Sequence, residues 1–142
     1  MADIIRNDLA TRALEKALDG LSLRAQAITN NVLNIDTPNF KTSEVTFEQD
    51  LQAALRRPSG EELPLAVTDG NHIGGFMPIS VDAVRAKSNP MLQTTVRNDG
   101  NNVDIDREMA RLAETQLSFQ ATTQLLNVKF RQLQQAIWEG KK

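Results

Sequence analysis

The chain has 142 residues, with sixteen basic and eighteen acidic side chains interspersed to a net charge of −2, so it lacks the basic face that nucleic-acid binding requires. It has no cysteine and no tyrosine, one tryptophan, five phenylalanines and one histidine, His72. That composition excludes disulfides, thiolate chemistry and a multi-histidine metal centre within one chain, and it leaves a core that must be mostly aliphatic. No apolar run reaches the length of a membrane span, so direct membrane insertion is not expected. The opening MADIIRNDLATRALEKAL mixes charges where a cleaved secretory signal would be purely apolar, so no such signal is expected.

The first predicted element is a long helix over residues 3–34. Leu14, Leu18, Leu21, Ala25, Ile28, Val32 and Ile35 alternate four and three apart, the period of a coiled-coil seam. Gly20 interrupts it, at a cost of about 1 kcal/mol relative to alanine, which marks a kink or a close helix approach. The Asp36-Thr37-Pro38-Asn39 cluster ends the helix, because Pro38 has a fixed φ and biases Thr37 away from the helical region. The chain then runs extended through residues 40–47, and residues 48–57 read as a second, short helix.

Residues 57–102 hold four of the five prolines and five of the seven glycines. This segment reads as loop or small β structure, with too few large apolar residues to require a packed fold throughout. Leu65 to Thr68, Ile79-Ser80-Val81 and Thr94 to Arg97 are short β-prone runs bounded by Asp69-Gly70, Gly74-Gly75 and Asp99-Gly100. The oxygen-rich run Asn98 to Asp106 fails the spacing of a calcium loop and reads as a turn followed by a helix cap.

The last element is a helix that starts at Asp104 or Asp106 as N-cap and ends near Gly140, with acidic residues at its start and Lys141 and Lys142 at its end. Its seam is Ile105, Met109, Leu112, Gln116, Phe119, Thr123, Leu126, Phe130, Leu133 and Ile137. Beside it runs a second stripe, Ala113, Leu117, Ala121, Leu125 and Val128. A helix with two apolar faces buries one in its own hairpin and offers the other to another chain.

The expected fold is therefore mainly α: long N- and C-terminal helices forming a coiled-coil layer around a Gly/Pro-rich loop or small β middle. Its segments are 1–36, 37–56, 57–102 and 103–142. No cofactor, metal, small-molecule substrate or enzymatic constellation is expected. The stripes fit a subunit that assembles with copies of itself, and they equally fit a soluble cytoplasmic helical adaptor or chaperone that holds a partner helix.

The junction Asn30-Asn31-Val32-Leu33-Asn34-Ile35-Asp36-Thr37-Pro38-Asn39-Phe40-Lys41 resembles the signature of bacterial flagellar rod and hook proteins, NN-apolar-x-N-x-x-T-x-Gly-aromatic-K. Ala27-Ile28-Thr29 before it and Phe47 to Leu51 after it fit the same family, as do Thr68 to Ile73 and Asn102 to Met109. Asn39 stands where glycine is usual, and asparagine also tolerates left-handed backbone.

The resemblance implies a proximal rod subunit of the flagellar basal body, exported by the flagellar type III apparatus without a cleaved signal. It implies a helical axial array in the periplasmic space, built with copies of itself and other rod proteins, and contacts to the export gate and a rod-base adaptor. It marks Asn30, Asn31, Asn34, Thr37, Pro38, Phe40 and Lys41 as the signature. The heptads mark Leu14, Leu18, Leu21, Ile28, Val32, Met109, Leu112, Phe119, Leu126, Phe130 and Leu133 as the seam, with Leu117, Ala121 and Leu125 on the second face.

Overall fold

The computed structural model describes residues 8–56, 80–92 and 97–140. Helix α1 spans Leu9–Leu33 and is started by Asp8, whose carboxylate accepts from the Ala10 N–H at 3.2 Å and from the Thr11 hydroxyl at 2.9 Å. It ends one residue before the Asn34 of the expected boundary. Residues 3–7 of the expected helix lie outside the described residues.

After the turn, β1 (Ser43–Thr46) leads into α2 (Glu48–Leu55), in keeping with the expected extended run and second short helix. A 3₁₀ turn, Val81–Ala83, then precedes β2 (Lys87–Pro90), which pairs antiparallel with β1, Ser43 opposite Pro90 and Thr46 opposite Lys87. One expectation needs correction here. Within the β-prone run that begins at Ile79, Ser80 instead caps the 3₁₀ turn by accepting from the Asp82 N–H, and Val81 turns inward. The strand lies six residues further on, in a fully exposed Lys-Ser-Asn-Pro sequence with no aliphatic side chain. Leu65 to Thr68, His72, Gly74-Gly75, Thr94 to Val96, Lys141 and Lys142 lie outside the described residues.

The inner edge of β1 is closed by side chains of α1. Asn31 takes both the N–H and the C=O of Ser43, and the Arg24 guanidinium donates to the Val45 carbonyl at 2.9 Å. A strand four residues long is thus satisfied on both sides, by β2 and by a helix.

Helix α3, Ile105–Glu139, has 35 residues and a length of about 52 Å. Asp104 caps it through the N–H groups of Asp106 and Arg107. It lies antiparallel to α1: Glu108 at its start meets Asn31 near the end of α1, and Lys129 pairs at 3.3 Å with Asp8 at the start of α1.

The apolar core sits between α1, the strand pair and α2. Leu21, Val45, Phe47, Leu51, Val81 and Val84 form it, with Ala13, Ala17 and Ala27 of α1 packed alongside. Gly20 is part of this arrangement. Its Cα faces the Phe47 ring so closely that a Cβ would fall 2.6–2.7 Å from three ring carbons. The close approach expected at Gly20 is therefore made by an aromatic ring rather than by a helix.

The Thr11 hydroxyl above all holds the Asp8 carboxyl below its ordinary value; burial, the next largest effect, opposes it, and the Ala10 N–H and Lys129 add to the lowering. A carboxyl depressed in the folded state adds stability that is complete above its unfolded value and is lost as pH falls through the folded one. The Asp8→Asn variant is accordingly expected to lose less thermal stability than the parent between pH 5 and about 3. Parallel acid-induced losses in the two chains would contradict this.

A polar junction between the long helices and their exposed apolar faces

At the end of α1 the chain makes three successive tight turns, with Thr37 and Phe40 N–H groups donating to the Asn34 and Thr37 carbonyls. Asn39 has φ +60°, a left-handed conformation that asparagine tolerates. Its N–H donates to Asp99, and its side chain lies against Gly100, itself at φ +79°. The signature turn therefore rests on the segment that leads into α3.

That segment supplies two buried asparagines. The Asn101 carboxamide donates to the carbonyls of Asn34, Ile35 and Thr37 at 2.9–3.0 Å and accepts from the Val103 N–H at 2.7 Å. Three carbonyls of the turn that follows α1 are thus gathered by one side chain from 60-odd residues away, in addition to the Thr37 and Phe40 N–H groups and the Arg97 guanidinium that also reach them. Asn102 accepts from the Thr42 N–H at 2.7 Å and donates to the Met91 carbonyl.

Asn31 and Glu108 complete the junction. Asn31 is fully buried; its amide donates to Ser43 and, at 2.8 Å, to Glu108, whose residue is 2% exposed. The other Glu108 oxygen accepts from Arg111, which also pairs with Glu44 of β1. Every hydrogen-bonding atom of Asn31 is used, and α1, β1 and α3 meet at one charged, satisfied node.

The remaining signature residues surround this node. Asn34 donates back to Asn30, Thr37 donates to the Asn34 side chain, and Lys41 donates to the Gly100 carbonyl at 2.7 Å. Pro38 is exposed and Phe40 half-buried. The structure thus assembles the signature as a turn bound to the start of α3. Reading the sequence alone did not single out Asn101, Asn102, Glu108, Arg24 or Arg111. The only signal was the pair Asn101-Asn102 just ahead of a capping aspartate, together with Glu108 in a stretch that matched the family.

The seam residues divide unevenly. Leu21 and Ile28 are buried; Leu14, Leu18, Val32, Leu112, Leu126 and Leu133 are half-buried; Met109, Phe119 and Phe130 are exposed. The second face is open, with Leu117 67% and Leu125 57% exposed and Ala121 exposed beside them. Trp138, near the end of α3, is 73% exposed. Alongside, a groove of about 870 Å³ runs between α1, β1, α2 and α3, floored by Leu21, Ile28 and Val45 and walled by Leu55 and Thr115. Among the described residues no cluster of His, Cys, Asp and Glu is suited to a metal ion, and no helix is long and apolar enough to cross a membrane.

No family model matches the chain. Individual relatives do. Over 128 residues it is 35% identical to the flagellar basal body rod protein FlgB of Bacillus subtilis, covering 90% of this chain and 92% of the relative. It is 38% identical over 106 residues to FlgB of Borreliella burgdorferi, covering 75% and 78% of the two chains. The chain belongs to the FlgB family of flagellar basal body rod proteins. FlgB of Borrelia hermsii, 35% identical over 118 residues, covers 83% of the chain and 87% of its own. Membership of the FlgB family makes the chain a structural component of the basal body rod, and it favours assembly over the helical-adaptor reading.

Proposed function

We propose that this FlgB-family chain builds the proximal rod as a helical axial array and, through that array, transmits motor torque. Its long helices pack with those of copies of itself and of other rod proteins. The observation that carries this reading is α3: after it has packed against α1, a helix about 52 Å long still exposes Leu117, Leu125, Val128 and Trp138. Burying each such side chain is worth about 1.5–3 kcal/mol. A heterologous contact that does not close propagates into a filament, so an apolar face of this length stabilises a rod rather than a closed dimer.

The chain reaches the periplasmic space through the flagellar type III apparatus and meets the export gate and a rod-base adaptor on the way. This part of the proposal rests on the family signature.

Leu117→Asp tests the assembly face. An exposed position far from the junction changes the stability of the free chain by no more than about 0.5 kcal/mol. The variant is expected to melt like the parent, to be secreted, and to leave cells without rods and non-motile. Normal motility would exclude this face from assembly. Loss of a single soluble complex, with rods intact, would instead support a helical adaptor.

A further inference from the structure

The apolar seam between the two long helices has a repeat that does not by itself choose a register. In the seam expected from the sequence, Leu112, Phe119, Leu126 and Leu133 of α3 recur every seven residues, as do Leu18, Ala25 and Val32 of α1. A slip of one heptad, about 10 Å along the axis, sets apolar side chains opposite one another again. Nor is the seam deep on the α3 side, where the only buried residues are Glu108 and Thr115, both polar.

The junction has no such repeat. Seven residues along α3 from Glu108 stands Thr115, whose hydroxyl is committed to the Arg111 carbonyl at 2.7 Å. Seven residues back stands Asn101, outside the helix and bound to the end of α1. Either slip strands the buried Asn31 amide and the Glu108 carboxylate, and a buried polar group without its partner costs far more than a displaced leucine. Arg111 extends the same constraint to Glu44 of β1. At the far end, the Asp8 and Lys129 pair is made in the same register.

We infer that the Asn31–Glu108 pair is the register lock of the two long helices. Apolar burial holds the helices together, and this polar pair selects their axial alignment. Any outer surface composed jointly of α1 and α3 is defined only in that one register. This inference concerns the free chain and does not depend on the rod-assembly reading.

The chain lacks cysteine, so two spin labels can be placed without background. Glu15→Cys and Arg107→Cys are exposed sites well separated along the axis, and a heptad slip changes their separation by about 10 Å. Pulsed electron–electron resonance on the full chain should give one distance. In the Asn31→Leu, Glu108→Leu variant a second population, displaced by about 10 Å, is expected. A seam variant, Leu14→Ala with Leu18→Ala, should melt earlier yet keep the parental distance.

Two results would overturn the lock: one unshifted distance in a junction variant with intact helical circular dichroism, or a second distance in the seam variant. If the junction variant does not fold, Glu108→Gln, which keeps an acceptor for Asn31, is compared with Glu108→Ala, which does not. The lock requires one distance for glutamine and two for alanine, and identical distributions exclude it.

Discussion

Removal of the Phe47 ring is expected to cost about 3–5 kcal/mol and to reverse the sign of a second substitution, Gly20→Ala. Phe47 is 5% exposed, packs with Leu21, Val45, Leu51, Val81 and Val84, and carries the Arg24 guanidinium 5.0 Å from its ring centroid. In the parent chain, alanine at position 20 gains about 1 kcal/mol of helix propensity. Its Cβ, however, would fall 2.6–2.7 Å from Cγ, Cδ1 and Cδ2 of Phe47, near the rigid base of the ring rather than at a flexible tip. Overpacking of that kind costs about 1–3 kcal/mol, so the net effect is destabilising. In the Phe47→Ala background the obstacle is gone, and Gly20→Ala should stabilise by up to about 1 kcal/mol. Urea unfolding of the four chains measures both numbers. Gly20→Ala effects of equal size and sign in the two backgrounds would show that the ring does not dictate glycine at this position.

That pair also shows what could be read from the sequence. Helix caps, stop signals and periodicity are local, and they were legible: Asp104 as one of two candidate caps of α3, the stop near Gly140 and the short helix after Phe47 follow from neighbours in sequence, while left-handed backbone at Asn39 was suggested by the family pattern. The family signature was legible as a motif because its turn is local too. Gly20 was visible only as a weak point, because the ring that requires it lies 27 positions away in a segment with no periodic link to α1.

The strand β2 was invisible for a related reason. Lys87 to Pro90 carries no aliphatic pattern and is fully exposed, so its pairing rests on backbone hydrogen bonds to β1 and on Met91 donating to the Thr42 carbonyl. The core, too, lies differently from the stripes. Heptads put Leu14, Leu18 and Leu21 on one line, but the strand pair and α2 take Leu21 for their own core, while Leu14 and Leu18 remain half-buried. An amphipathic stripe states that a face is covered; it does not state by what.

The junction was the least legible part, because its members are polar and distant. Asn101 reaches carbonyls of Asn34, Ile35 and Thr37, and a run of asparagines, aspartates and glycine is by composition a solvated turn. Only the three-dimensional arrangement shows that Asn31, Asn101 and Glu108 are among the most buried side chains of the described residues.

The sharpest consequence of that burial is the expected behaviour of Asn31→Asp, a change of one amide to one carboxylate with no change of shape. Asn31 accepts from the Ser43 N–H at 2.9 Å, and an aspartate keeps that bond. Its amide, though, donates to the Ser43 carbonyl at 3.0 Å and to Glu108 at 2.8 Å, and a carboxylate donates nothing. Two acceptors would then face a third in a fully buried site, and two carboxyl groups at that distance either repel each other or take up a proton, each at a cost in stability at neutral pH. Arg111 contacts Glu108 at 3.4 Å and is shared with Glu44, so it does not neutralise a second charge. An uncompensated buried charge costs about 3–5 kcal/mol, a large part of the roughly 5–15 kcal/mol that holds a domain folded. Glu108→Gln in the same background restores a donor to the new carboxylate and removes one charge. It should recover most of the loss, leaving about 1–3 kcal/mol for the unpaired Ser43 carbonyl. Denaturant unfolding at neutral pH measures all three chains. An Asn31→Asp chain within about 0.5 kcal/mol of the parent, or no recovery on adding Glu108→Gln, would mean that Asn31 is not the buried donor on which this junction turns.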